Sequence, residues 1–258
     1  MSTTILHTSR ALEKYLLLAV DGTIGYVTDF YFDRTTWEIR YLLASTVGCS
    51  HARFVLISSV AVGSIQHDEK TVYIELTRKQ IENSPPFGKN QSVSKQYENE
   101  YYSYYGWPPY WEQSEGAVSV SSKQRQVCIS DTDKNIIIHP LHRTRVQSTG
   151  SLCGCTAVST DGVAGRVDDF ILDTRYWLIR YLQIKIANGA PRKQVLISPG
   201  WIEQVNLQQR LVKLDIPGRI IRRAPAFDRT QYITREYEAR LTGHYGNPLY
   251  WRRSSDRK

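Results

Sequence analysis

The chain has 258 residues, 41% of them hydrophobic, enough for two medium domains that each bury a core. Its longest apolar run, Tyr15 to Val20, is too short to cross a bilayer, and MSTTILHTSR has no basic patch before an apolar core. Neither a transmembrane segment nor a secretory signal is expected, which leaves a cytoplasmic protein. The formal charge of +8 is uneven: residues 1–120 hold 10 Lys and Arg against 13 Asp and Glu, for −3, and residues 121–258 hold 23 against 12, for +11.

In chain order, Val20 to Thr23 sets Asp21-Gly22 between apolar runs, a strong hairpin pattern because Gly accepts positive φ and Asp bonds turn backbone. The next strand runs to Phe32 with apolar residues at 27, 30 and 32. That step of three breaks alternation and predicts a bulge near Thr28 and Asp29. A tight turn at Asp33 to Thr36 leads to Trp37, Ile39 and Tyr41, alternate positions expected to share one face. Strands follow at Arg53 to Ile57, near Val62 to Gln66, and at Thr71 to Leu76. Thr77 to Asn83 reads as a short helix ended by Pro85 and Pro86, Ser94 to Tyr105 as an amphipathic helix, and YYGWPPYW closes the unit.

Adding 140 to a residue number then lands on the same pattern again, without a gap. Asp21, Gly22, Gly25, Asp29, Asp33, Trp37 and Arg40 become Asp161, Gly162, Gly165, Asp169, Asp173, Trp177 and Arg180. The offset still holds at Tyr97-Glu98 and Tyr237-Glu238, and at Tyr105, Tyr110 and Trp111 against Tyr245, Tyr250 and Trp251. The repeat divides the chain into a first unit, 1–113, a polar linker, 114–126, and a second unit, 127–258. Short strands, polar turns and a β-branched, aromatic composition predict a mainly β fold of two small barrels in tandem, each followed by a short helical, Tyr/Trp-rich extension.

The D-G-x-x-G-x-V-x-D-F-x-x-D-x-x-x-W-x-I-R-Y-L pattern, present in both halves, resembles the PRC-barrel family. That family is named for the cytoplasmic domain of the photosynthetic reaction centre H subunit, and a ribosome maturation factor carries a related barrel. The resemblance covers about residues 10–87 and 150–227, and the aromatic tails look like the extension of bacterial tandem members. It implies a binding or assembly module with no cofactor rather than an enzyme. By association alone it also suggests an accessory protein of a photosynthetic membrane complex.

The motif carboxylates Asp29, Asp33, Asp169 and Asp173 are the residues to weigh as a hydrolase pair, since acid and base must face each other across a cleft. Asp33 and Asp173 begin tight turns, however, and Asp29 and Asp169 sit at the bulge, within reach of Arg40 and Arg180. No His, Ser or Cys recurs beside them as base or nucleophile, so a shaping role is expected and no catalytic residue is assigned. A weak metal candidate is Cys128, His139, His142, Cys153 and Cys155, whose spacing matches no zinc finger. Arg219, Arg222, Arg223, Arg252 and Arg253 form a candidate anion-binding set for nucleic acid or an anionic membrane surface. Tyr105, Trp107, Tyr110, Trp111, Tyr245, Tyr250 and Trp251 are candidate packing tails, with Trp111 and Trp251 expected to close a barrel or hold the units together. A protein partner or self-association is the leading expectation, and RNA or ribosome-precursor binding through the basic half is the alternative.

Overall fold

The computed structural model describes residues 6–47, 53–89, 91–112, 145–187, 193–230 and 232–246. The first stretch of elements is β1 (Leu6–Thr8), α1 (Ser9–Leu12), β2 (Leu16–Ala19), β3 (Gly22–Asp33), β4 (Ile39–Thr46), β5 (Phe54–Ser58), β6 (Val62–Gln66), β7 (Thr71–Ile74), α2 (Arg78–Glu82) and α3 (Lys95–Tyr105). The second is β8 (Val146–Ser148), α4 (Thr149–Leu152), β9 (Thr156–Ser159), β10 (Gly162–Asp173), β11 (Leu178–Ile186), β12 (Gln194–Ile197), β13 (Ile202–Asn206), β14 (Leu211–Leu214), α5 (Gly218–Arg223) and α6 (Arg235–Tyr245).

The fold is mainly β, in two seven-stranded mixed sheets ordered β5-β4-β3-β2-β7-β6 and β12-β11-β10-β9-β14-β13. Within them β2 pairs with β7, and β9 with β14, in parallel, and the other pairs are antiparallel. Among the described residues the end strands of each sheet are not paired, so hydrogen bonding does not close a barrel. The expected elements are present. Ala19 faces Gly22 and Ser159 faces Gly162 across two-residue turns, and the register shifts between Val27 and Asp29 and between Val167 and Asp169 are the expected bulges. Thr77 caps α2 in a capping box with Gln80, and Ser94 caps α3.

The seventh strand of each sheet comes from the other half of the chain. Leu6, His7 and Thr8 pair with Asp173, Leu172 and Ile171, while Val146, Gln147 and Ser148 pair with Asp33, Phe32 and Tyr31. The two exchanges repeat each other at the 140-residue offset, as a pseudo-two-fold arrangement of like units requires. Sheet membership therefore crosses the stretch 114–126, which itself lies outside the described residues. A single buried cluster joins Leu12, Phe30 and Phe32 with Leu152, Phe170 and Leu172, so the units share one core.

One expectation fails for a local reason. Trp37 lies in the turn, and Ile39 and Tyr41 do not share a face. A second register shift, between Tyr31 and Phe32, leaves Arg40 unopposed and reverses the alternation, sending Ile39 into the shared core and Tyr41 to the outer face.

Candidate functional site

Four of the motif residues, Trp37, Trp177, Asp29 and Asp169, lie at the seam between the units. Trp37 and Trp177 both adopt left-handed backbone, with φ of 60° and 52°, uncommon for so bulky a side chain. That turn aims their carbonyls across the pseudo-two-fold axis: Ile39 N donates to Trp177 O at 2.7 Å, and Ile179 N donates to Trp37 O at 2.9 Å. The rings follow, with Phe32 stacked on Trp37 at 4.9 Å, and Phe30 of the first unit 6.5 Å from Trp177 of the second.

The bulge carboxylates face the exchanged arms. Asp169 accepts from the Ser9 hydroxyl at 2.5 Å and from Arg10 N at 3.4 Å. Asp29 accepts from the Thr149 hydroxyl at 2.7 Å, from Gly150 N at 3.1 Å, and from the Ser148 hydroxyl. Each thus satisfies free N–H groups in the first turn of the other unit's short helix. The expected Asp29–Arg40 and Asp169–Arg180 pairs are replaced. Arg180 forks onto Asp173 at 2.8 and 3.0 Å, and Arg40 pairs with Glu38 at 2.6 Å, because the bulges carry Asp29 and Asp169 toward the seam.

Asp33 and Asp173 make the turns expected of them, accepting from Thr35 N at 2.7 Å and Arg175 N at 3.1 Å. Asp21 and Asp161 reach further than the hairpin, taking the first backbone N–H of α2 at 2.7 Å and of α5 at 2.6 Å. Gly22 and Gly162, with φ of 140° and 127°, provide the positive φ that begins the return strand.

The outer face of the first sheet is aromatic. Tyr31, Tyr41, Phe87, Tyr97, Tyr101 and Tyr102 are buried there under α3, with Val146 of the exchanged strand among them. Trp107 stacks on Tyr105 at 4.5 Å, Tyr110 lies under the Arg40 guanidinium at 4.0 Å, and Trp111 packs on Tyr102 beneath the Lys95 ammonium. Trp111 thus folds back on its own unit; the units are joined by the turns of the motif residues Trp37 and Trp177 and by the exchanged strands, which no sequence pattern marks. In the second half Tyr245 is buried, and Tyr250 and Trp251 lie outside the described residues.

Glu98 and Glu238 recur at the offset but lie outside the motif that marks the other site residues. Both are buried, and the Tyr41 and Tyr181 hydroxyls donate to them at 2.9 and 3.0 Å, tying α3 to β4 and α6 to β11. Burial raises the Glu98 carboxyl above its ordinary value, partly opposed by hydroxyl bonds from Tyr41 and Tyr110. The folded protein therefore binds this proton more tightly than the unfolded chain, and the group's contribution to stability declines as pH rises through the carboxylate range. Glu98→Gln keeps an acceptor and removes the charge. Its stability relative to the parent is expected to improve from pH 4 to pH 7, as checked by urea unfolding at both values.

Arg219, Arg222 and Arg223 are exposed on α5, while Arg252 and Arg253 lie outside the described residues. Of the metal candidates, Cys128, His139 and His142 also lie outside them. Cys153 and Cys155 are free thiols, and burial pushes Cys153 up to about 12, a protonated and unreactive state at neutral pH. Among the described residues, no three His, Cys, Asp or Glu side chains are grouped to hold a metal ion. No described helix is long and apolar enough to cross a membrane.

These features define a duplicated β protein in which the repeated Asp29 and Asp169 join one unit to the other and the other repeated carboxylates hold turns and helices. No protein-family model matches the chain, and no curated protein matches it.

Proposed function

We propose that the chain is a non-catalytic tandem PRC-barrel protein, each sheet corresponding to one small barrel, and that it acts in the cytoplasm as a protein-interaction or assembly module. The observation that supports this reading is the occupation of the motif carboxylates. Asp29 and Asp169 hold the exchanged arms, Asp33 and Asp173 hold turns, and Asp21 and Asp161 hold helices. Residues kept for shape in both copies fit a rigid scaffold whose partner surface lies where the copies differ, and a fold alone does not name that partner.

Affinity capture from native lysate, with and without nuclease, tests this. A stoichiometric protein partner that survives nuclease is the expected result, and recovery of the chain alone under both conditions contradicts it. A second reading, RNA binding, is favoured by the exposure of Arg219, Arg222 and Arg223 on one short helix. It predicts that Arg222→Ala with Arg223→Ala lowers the salt dependence of RNA affinity by about two counterions. Filter binding at several salt concentrations, showing no RNA retained even at low salt, removes that reading.

A further inference from the structure

The two exchanged arms are alike in backbone and unlike in chemistry. His7 lies on β1, opposite Leu172 of the second unit, yet its imidazole stacks on His67, in the turn after β6 of the first unit. The ring centroids are 3.9 Å apart and the planes 15° from parallel. His7 Nε2 is buried without a hydrogen-bond partner, and the Tyr15 hydroxyl lies 3.4 Å from His67 Nδ1. Asp68 favours charge on His67, and Tyr232 of the second unit acts on Tyr15. At the offset positions the other arm has Gln147 and Leu207, neither of which titrates.

We propose that His7 and His67 form an acid-weakened latch on one arm of the exchange: protonation separates the stacked rings and loosens the hold of residues 6–12 on the second sheet, so that the arm opens more often without leaving it. Two neutral imidazoles stack face to face without penalty. An imidazolium there has no acceptor at Nε2, and a second proton sets two like charges against each other at ring-contact distance. Burial holds both rings below their ordinary values, His7 at about 4, with the His67 charge adding to the effect.

In the released arm His7 regains an ordinary value near 6.5. A group whose docked value is lower than its released value contributes fully above the released value, and that contribution is lost as pH falls toward the docked one. Between pH 7.5 and pH 5, His7 alone weakens arm docking by about 30-fold. The latch acts on one side only, leaving residues 146–152 in place.

Amide hydrogen exchange of the full chain at pH 7.5 and 5.0, corrected for intrinsic rates, tests the latch. Protection of residues 6–12 is expected to drop by about 30-fold at pH 5.0, with residues 146–152 changing by less than about threefold. The double variant His7→Gln with His67→Leu, which installs the residues of the other copy, is expected to abolish the difference. Equal loss in both arms, no loss in residues 6–12, or a loss that persists in the double variant overturns the proposal. If that variant does not fold, the NMR titration of His7 in the unaltered chain decides: a midpoint near 4 supports the latch, and an ordinary value near 6.5 overturns it.

Discussion

Removal of residues 1–12 is expected to destabilise the second half of the chain more than the first. The deleted arm carries Leu6 and Leu12, both buried in the shared core, and burial of two leucines is worth about 3–6 kcal/mol. It also carries the Ser9 hydroxyl and Arg10 N–H that Asp169 accepts, and Asp169 is only 1% exposed. A buried carboxylate that loses these two donors and keeps only Phe170 N, with Arg229 nearby, costs about 1–3 kcal/mol more. Together these approach the whole stability of an ordinary domain. The melting temperature should fall by more than about 10 °C, and hydrogen exchange should locate the lost protection on β10, with Tyr31 and Phe32 on β3 still paired to β8. Loss confined to the first half would contradict the exchange.

Gly25→Ala and Gly165→Ala should each be among the most damaging single substitutions. A Cβ at Gly25 would lie 1.9 Å from the carbonyl oxygen of Ser45, and one at Gly165 would lie 2.1 Å from that of Lys185. Both neighbours are backbone in the paired strand, so the clash cannot be relieved by rotating a side chain. The ladder must open there, at the bulge-bearing end of the longest strand pair. A loss of more than about 3 kcal/mol is expected from either, measured by chemical unfolding, and a loss under about 1 kcal/mol would mean that the strands do not approach so closely.

Much of each unit was legible because it is local. The Asp21-Gly22 turn, the bulge at Thr28 and Asp29, the Asp33 turn and both capped helices follow from neighbouring residues whose backbone preferences need no distant contact. The duplication also marked which positions matter. It did not show what they touch. Asp29 was expected to meet Arg40 on the next strand and instead meets Thr149, 120 residues away. No pattern within residues 6–8 tells which of two equivalent edges they pair with, since Tyr31 to Asp33 and Ile171 to Asp173 present like ladders. Aromatic alternation places Trp37 in a strand because it is blind to the left-handed backbone that aims the residue at the seam. The metal set and the basic tail fall partly outside the described residues.

Interstrand nuclear Overhauser contacts in the labelled 258-residue chain test the exchange of arms most directly. Contacts are expected between Thr8 and Ile171, between Leu6 and Asp173, and between Ser148 and Tyr31. Contacts of Thr8 with Tyr31 and of Leu6 with Asp33, the pairing in which each unit keeps its own first strand, would contradict it.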